Sequence, residues 1–75
     1  MELYCCPFGK AFRGMTFSLA CILCYKKLKI VLLAMQDDPE RYPHSTPQVN
    51  AKDDMVIEEG TLGYFLADNI REAER

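Results

Sequence analysis

Residues 11–35 read AFRGMTFSLACILCYKKLKIVLLAM, nearly all apolar yet cut by Gly14 and by Lys26, Lys27 and Lys29. A bilayer-spanning helix needs about 20 consecutive apolar residues, whereas the longest uncharged stretch here, Gly14 to Tyr25, holds about a dozen. The segment is therefore expected inside a protein assembly, with no membrane span of its own. A single short domain offers little else to pack such a segment against. Its partner must come largely from outside the chain.

Composition narrows the class. The chain is 75 residues long, 49% hydrophobic and 27% charged, which suits a folded globular piece and argues against disorder. A net charge of −2 offers no basic surface for nucleic acid. Charge is nonetheless unevenly placed. Residues 1–35 carry five basic side chains against Glu2 alone, while residues 36–75 carry four basic and ten acidic ones. A positive, apolar half followed by a negative half suits subunits or subdomains that meet each other; solvated charges on two separate faces explain the same count. Met1-Glu2 lacks a basic leader, so the four cysteines are expected to be reduced thiols of an intracellular protein. The last residues break off in a helical pattern, so the chain is expected to be a piece of a longer polypeptide.

Local signals give an order of elements. Pro7 suits the first turn of a short helix over about Phe8 to Arg13, and Gly14 suits its C-terminal cap. Thr16 or Ser18 then caps a second helix, roughly Phe17 to Lys26, which is apolar around its whole circumference. A helix without a polar face is buried on all sides or sandwiched between subunits. Leu28 to Met35 favours a buried central strand through Ile30 and Val31, although periodicity alone leaves helix open. Gln36 to Pro47 is a proline-rich loop, and Gln48 to Asn50 is a short strand. Met55 to Ile57 and Leu62 to Ala67 are read as strands joined by a turn at Glu58-Glu59-Gly60. Asn69-x-x-Glu72 resembles a capping box that opens a last helix. The fold class is α+β: a helix–turn–helix over about 8–26, then a small β-sheet and a terminal helix over about 28–75. Strands from elsewhere are expected to complete the sheet.

Chemistry is sparse. Cys5-Cys6 with Cys21-x-x-Cys24 supplies four thiols, the number a structural zinc site takes. Adjacent Cys5 and Cys6 rarely reach one tetrahedral ion, and cysteine on an apolar helix packs as a small hydrophobe. Hence a zinc- or thiol-based binding module is the alternative to buried packing. His44 lies in the loop with no nucleophile or orienting acid at a fixed spacing, so it reads as solvated and no enzyme is expected. The pairs Asp37-Asp38, Asp53-Asp54 and Glu58-Glu59 lack EF-hand spacing. Gly60 and Gly63 are too sparse for a phosphate cradle. On residues alone, this is a regulatory piece that contacts other subunits.

Three blocks in order sharpen that reading: Ala11-Phe12-x-Gly14-x-Thr16-Phe17, Cys21-x-x-Cys24-Tyr25-x-Lys27-Leu28-Lys29, and Glu59-Gly60-Thr61-Leu62-Gly63-Tyr64-Phe65. They resemble the second half of the first RCK domain (regulator of potassium conductance) in slowpoke-type, large-conductance calcium-activated potassium channel alpha subunits. The likeness runs from about Leu3 to the C-terminus. It implies a fragment of an α/β, Rossmann-like regulatory domain whose helix pair joins neighbouring domains in a homotetrameric gating ring. That ring lies on the cytoplasmic face of a membrane complex, most naturally the plasma membrane, below a voltage-gated pore that passes potassium. It also implies that the interface is carried by Phe12, Phe17, Leu19, Ile22, Leu23 and Tyr25. The missing upstream core of the domain and the neighbouring subunits are the implied partners. Calcium is the implied ligand, and Asp68 and Glu72 are the carboxylates nearest the family's site after the last strand. The loop DDPERYPHSTP and Asp53-Asp54 depart from the family's usual pattern.

Overall fold

The computed structural model describes residues 2–52 and 55–68. Four strands form one antiparallel sheet: β1 Glu2–Pro7, β2 Val31–Gln36, β3 Gln48–Val49 and β4 Leu62–Ala67, in the order β1-β4-β2-β3. A 3₁₀ turn, Lys10–Phe12, and the helix α1, Phe17–Leu23, connect β1 to β2. Helix α1 continues without a break into a π-helical turn over Cys24–Leu28. The α+β class therefore holds: among the described residues one α-helix packs on one face of a four-stranded sheet.

Helix α1 starts where Thr16 folds its hydroxyl back to accept the Leu19 N–H at 3.3 Å, so Thr16 and not Ser18 is the cap. It ends at Lys29, whose φ of 59° places it in the left-handed region. Ile30 N–H donates back to the Cys24 carbonyl at 3.2 Å, over a span lengthened by the extra residue of the π turn. The buried stripe is Phe17, Ala20 and Cys24, at i, i+3 and i+7, the spacing of one helical face. These side chains meet Cys6, Phe8, Ile30, Leu32, Met35, Ile57, Phe65 and Ala67 in one core. Phe8 stands edge-on to Phe65 with ring centroids 5.4 Å apart. A bulge in β2 between Leu32 and Ala34 keeps Leu32 and Met35 on the core side while Leu33 turns out.

Three expectations are corrected. The first helix of the expected helix–turn–helix is a single 3₁₀ turn, because β1 precedes it and pairs with β4 from Glu2–Ala67 to Pro7–Leu62. That pairing also means the sheet draws all four strands from this chain. Met55 to Ile57 does not pair with β4, both of whose sides are taken by β1 and β2. Instead Val56 bridges Thr16, the Ile57 carbonyl accepts from Gly14 N–H, and Ile57 N–H donates to the Met15 carbonyl, which pins the start of α1. The central strand expected over Leu28–Met35 is β2, and the short strand near Gln48 is β3. The turn at Glu58-Glu59-Gly60 is present. Gly60 has φ +87°, and a Cβ there would strike the Asp38 carboxylate. Thr61, buried, closes the turn by accepting the Glu58 N–H at 3.0 Å. The capping box at Asn69-x-x-Glu72 lies outside the described residues.

Candidate functional site: an exposed apolar helix face

Helix α1 is apolar on both sides, but only one side is used internally. Leu19, Ile22 and Tyr25 are 47%, 51% and 66% exposed and recur every third residue, so they form a stripe facing away from the sheet. Leu23 is half-buried on the shoulder of that stripe. Of the six residues expected at an interface, Phe17 is spent in the chain's own core and Phe12 is half-buried against it, its ring 5.5 Å from that of Phe8. The apolar circumference thus divides into an inward stripe and an outward one. Lys26, Lys27 and Lys29, all exposed, follow the outward stripe at the C-terminal end of the helix, where cations complement the helix dipole.

The back of the sheet is a second apolar surface, which the sequence reading missed. Leu3 and Val31 both lie opposite Leu66 in the register, and Tyr64 continues the row. Leu3 is 61% exposed, and Val31, Tyr64 and Leu66 are half-buried. The signal was present in LGYFLA: when both alternating sets of a strand are apolar, both faces are read as covered. Tyr64 also anchors the loop after β2. Its hydroxyl donates to Gln36 Oε1 at 2.6 Å, Gln36 Nε2 donates to the Ser45 carbonyl at 3.1 Å, and the Ser45 hydroxyl donates to the Asp37 carbonyl at 2.9 Å. Desolvation, with a lesser contribution from Cys5, raises the phenol pKa.

The thiols do not converge. Cys5 and Cys6 are neighbours on β1, so one is exposed and the other faces the core. On the helix, Cys21 is half-buried with its Sγ donating to the Leu32 carbonyl at 3.6 Å, while Cys24 is fully buried. Burial pushes the Cys24 thiol up to about 12, with the charge of Cys21 adding to it, and raises Cys21 as well. Metal ligation and nucleophilic attack both need the thiolate, which this environment disfavours. Among the described residues no three cysteine, histidine or acidic side chains are grouped to hold a metal ion. At pH 8, Cys5 is expected to alkylate within minutes of adding iodoacetamide and Cys24 only on unfolding. Peptide mass spectrometry over a time course measures this, and equal rates in the native protein would contradict the packing. The sign for stability follows from the raised pKa: the buried neutral thiol is favoured below the ordinary thiol range, and that contribution fades as pH climbs toward about 12.

Other expected site residues are scattered. Asp68 is exposed just past β4, and Glu72 lies outside the described residues. His44 is exposed in the loop. Asp38 organises a turn, its Oδ1 accepting the Glu40 N–H at 3.0 Å, while Asp53-Asp54 lies outside the described residues. Among the described residues no helix is long and apolar enough to cross a membrane.

The arrangement of strands and helix has a solved counterpart. It matches the human SLO3 gating ring with a TM-score of 0.77, at 24% identity over 96% of this chain and 12% of that one. The chain has the fold of a slowpoke-type gating-ring segment. The mouse protein potassium channel subfamily U member 1 is 34% identical over 64 residues, which is 85% of this chain. The chain spans 6% of that relative's length. No protein-family model matches the chain.

Proposed function

We propose that this chain is the interface-bearing segment of a potassium-channel gating ring, a regulatory and non-catalytic part of a larger polypeptide. One observation carries the reading: on a gating-ring fold, α1 keeps Leu19, Ile22 and Tyr25 outside its own core. Apolar side chains on an exposed helix face are stabilised when a neighbouring subunit covers them, by roughly 25 cal/mol per Å² of apolar area removed from water. In the intact protein the neighbours are other subunits of a homotetramer, together with the upstream core of the same domain. The segment then lies at the cytoplasmic side of a membrane complex, with the plasma membrane as its site and potassium as the ion the whole channel carries.

Coupling is a difference in binding free energy. If the ring has a closed and an open packing, calcium opens the pore only by binding the open packing more tightly. Asp68, exposed beyond β4, and Glu72, four residues further on, are the proposed contributors of carboxylate oxygens, the hard donors that calcium prefers. Glu72→Ala in the full channel is expected to move half-activation to several-fold higher calcium while leaving voltage-driven opening in zero calcium unchanged. Patch-clamp current–voltage families at graded calcium measure both. An unaltered calcium dependence would remove Glu72 from the site.

A further inference from the structure

The loop after β2 ends in Ser45-Thr46-Pro47, just ahead of the edge strand β3, and neither assembly nor calcium binding uses these residues. The two hydroxyls are engaged differently. Ser45 is half-buried; its hydroxyl donates to the Asp37 carbonyl at 2.9 Å and accepts from Gln36 Nε2 at 3.2 Å, which closes the loop. Thr46 is exposed, and its Oγ1 accepts from the exposed Gln48 side chain at 3.2 Å. Water replaces a bond of that kind at little cost. Pro47 fixes the rest of the geometry. Its ring clashes with a helical residue before it, so Thr46 is held to extended backbone, and Ser45 to Pro47 belong to no helix or strand. Proline also lacks the N–H that any other residue would present there. A binding pocket with no acceptor for an N–H therefore admits proline and penalises every other residue.

We propose that Thr46 is a phosphate-acceptor site for a proline-directed protein kinase, with Pro47 as the residue that the kinase recognises. Flanking charge selects this class of kinase. One that reads a basic side chain shortly before the acceptor meets Tyr42, Pro43 and His44, and one that reads acids after it meets Gln48, Val49 and Asn50. In the reaction, Thr46 Oγ1 attacks the γ-phosphorus of magnesium-ATP. The new O–P bond forms as the bond to the β-phosphate oxygen breaks, ADP leaves, and the hydroxyl proton passes to the kinase's catalytic aspartate. The ester carries a charge of about −1.5 to −2 at pH 7. It falls on the half of the chain that already holds ten acidic against four basic side chains. Thr46 lies outside the core, so the fold accepts the phosphate while any surface facing the loop meets a stronger negative field.

The test incubates the 75-residue chain with magnesium-ATP and an active mitogen-activated protein kinase, beside a peptide spanning residues 41–52. Phosphopeptide mass spectrometry over a time course locates the phosphate and gives the rate. The native chain is expected to gain one phosphate, on Thr46, at a rate within a few-fold of the peptide's. Thr46→Ala should abolish it and Thr46→Ser retain it. Pro47→Ala should slow the reaction by about tenfold or more, in chain and peptide alike, as the loss of one pocket contact does. Circular dichroism of each variant verifies folding, and the peptide reads the Pro47 effect free of the fold. A peptide that is phosphorylated while the native chain is refused would overturn the proposal, because the loop would then be closed to a kinase. Phosphate on Ser45 in place of Thr46, or an unchanged rate for Pro47→Ala, would overturn it equally. The gating-ring reading is tested separately by Ile22→Asp in the complete polypeptide, so either can fail without the other.

Discussion

Phe65→Ala is expected to leave most of the chain unfolded at 25 °C. Phe65 is the largest fully buried side chain, 2% exposed, and sits on β4, the strand that joins β1 to β2. Its ring stands edge-on to Phe8, lies beside Tyr4 and Leu32 in the register, and shares the core with Phe17 and Cys24 of the helix. Truncating a buried phenylalanine costs about 3–5 kcal/mol, the transfer free energy of the ring plus the cavity it leaves. A chain of this size draws only about 3–5 kcal/mol of net stability from one small core, so the two quantities cancel. Urea denaturation followed by circular dichroism reads this directly: a midpoint near zero denaturant for Phe65→Ala, against a cooperative transition for the native chain. Phe65→Leu, which keeps most of the apolar volume, should lie between them. A native-like midpoint for Phe65→Ala would mean that β4 is not the hub of the fold.

The parts of this architecture legible in the sequence are those governed by local rules. Ile30 and Val31 in an unbroken apolar run marked β2 because branched side chains suit a covered pleated surface. Gly14 and Gly60 marked their turns because both need positive φ, which they show at 89° and 87°. The helix over Phe17 was legible from its cap and its apolar composition.

Less legible was everything decided by pairing. Cys5-Cys6-Pro7 carries no strong alternation, so β1 emerges only because β4 offers it a full-length partner. Met55 to Ile57 has strand-like residues, yet its hydrogen bonds go to Met15 and Gly14 because β4 is already flanked on both sides. The interface was half legible. An apolar circumference says that something covers the helix, but only the sheet's position tells which stripe it takes, and that moved Phe17 into the core and left Ile22 outside.

Ile22→Asp in the complete polypeptide is expected to abolish the proposed ring assembly while the segment itself stays folded. Ile22 is 51% exposed and lies at the middle of the outward stripe, between Leu19 and Tyr25, so an assembled neighbour would cover it most fully. A carboxylate buried there without a partner carries a desolvation penalty of several kcal/mol, or about two or more orders of magnitude in association. Folding of the isolated segment is spared because the aspartate remains in water on that face. His44→Asp is the control: it adds the same charge at an exposed position in the loop after β2, off the helix. Light scattering after size exclusion should show separate subunits in place of the proposed assembly for Ile22→Asp and an unchanged mass for His44→Asp. Ile22→Ala, which removes area without adding charge, should weaken assembly by about tenfold at most. Assembly undiminished by Ile22→Asp would show that the outward stripe faces water in the complete protein. The role assigned to α1 would then fall, whatever the fold resembles.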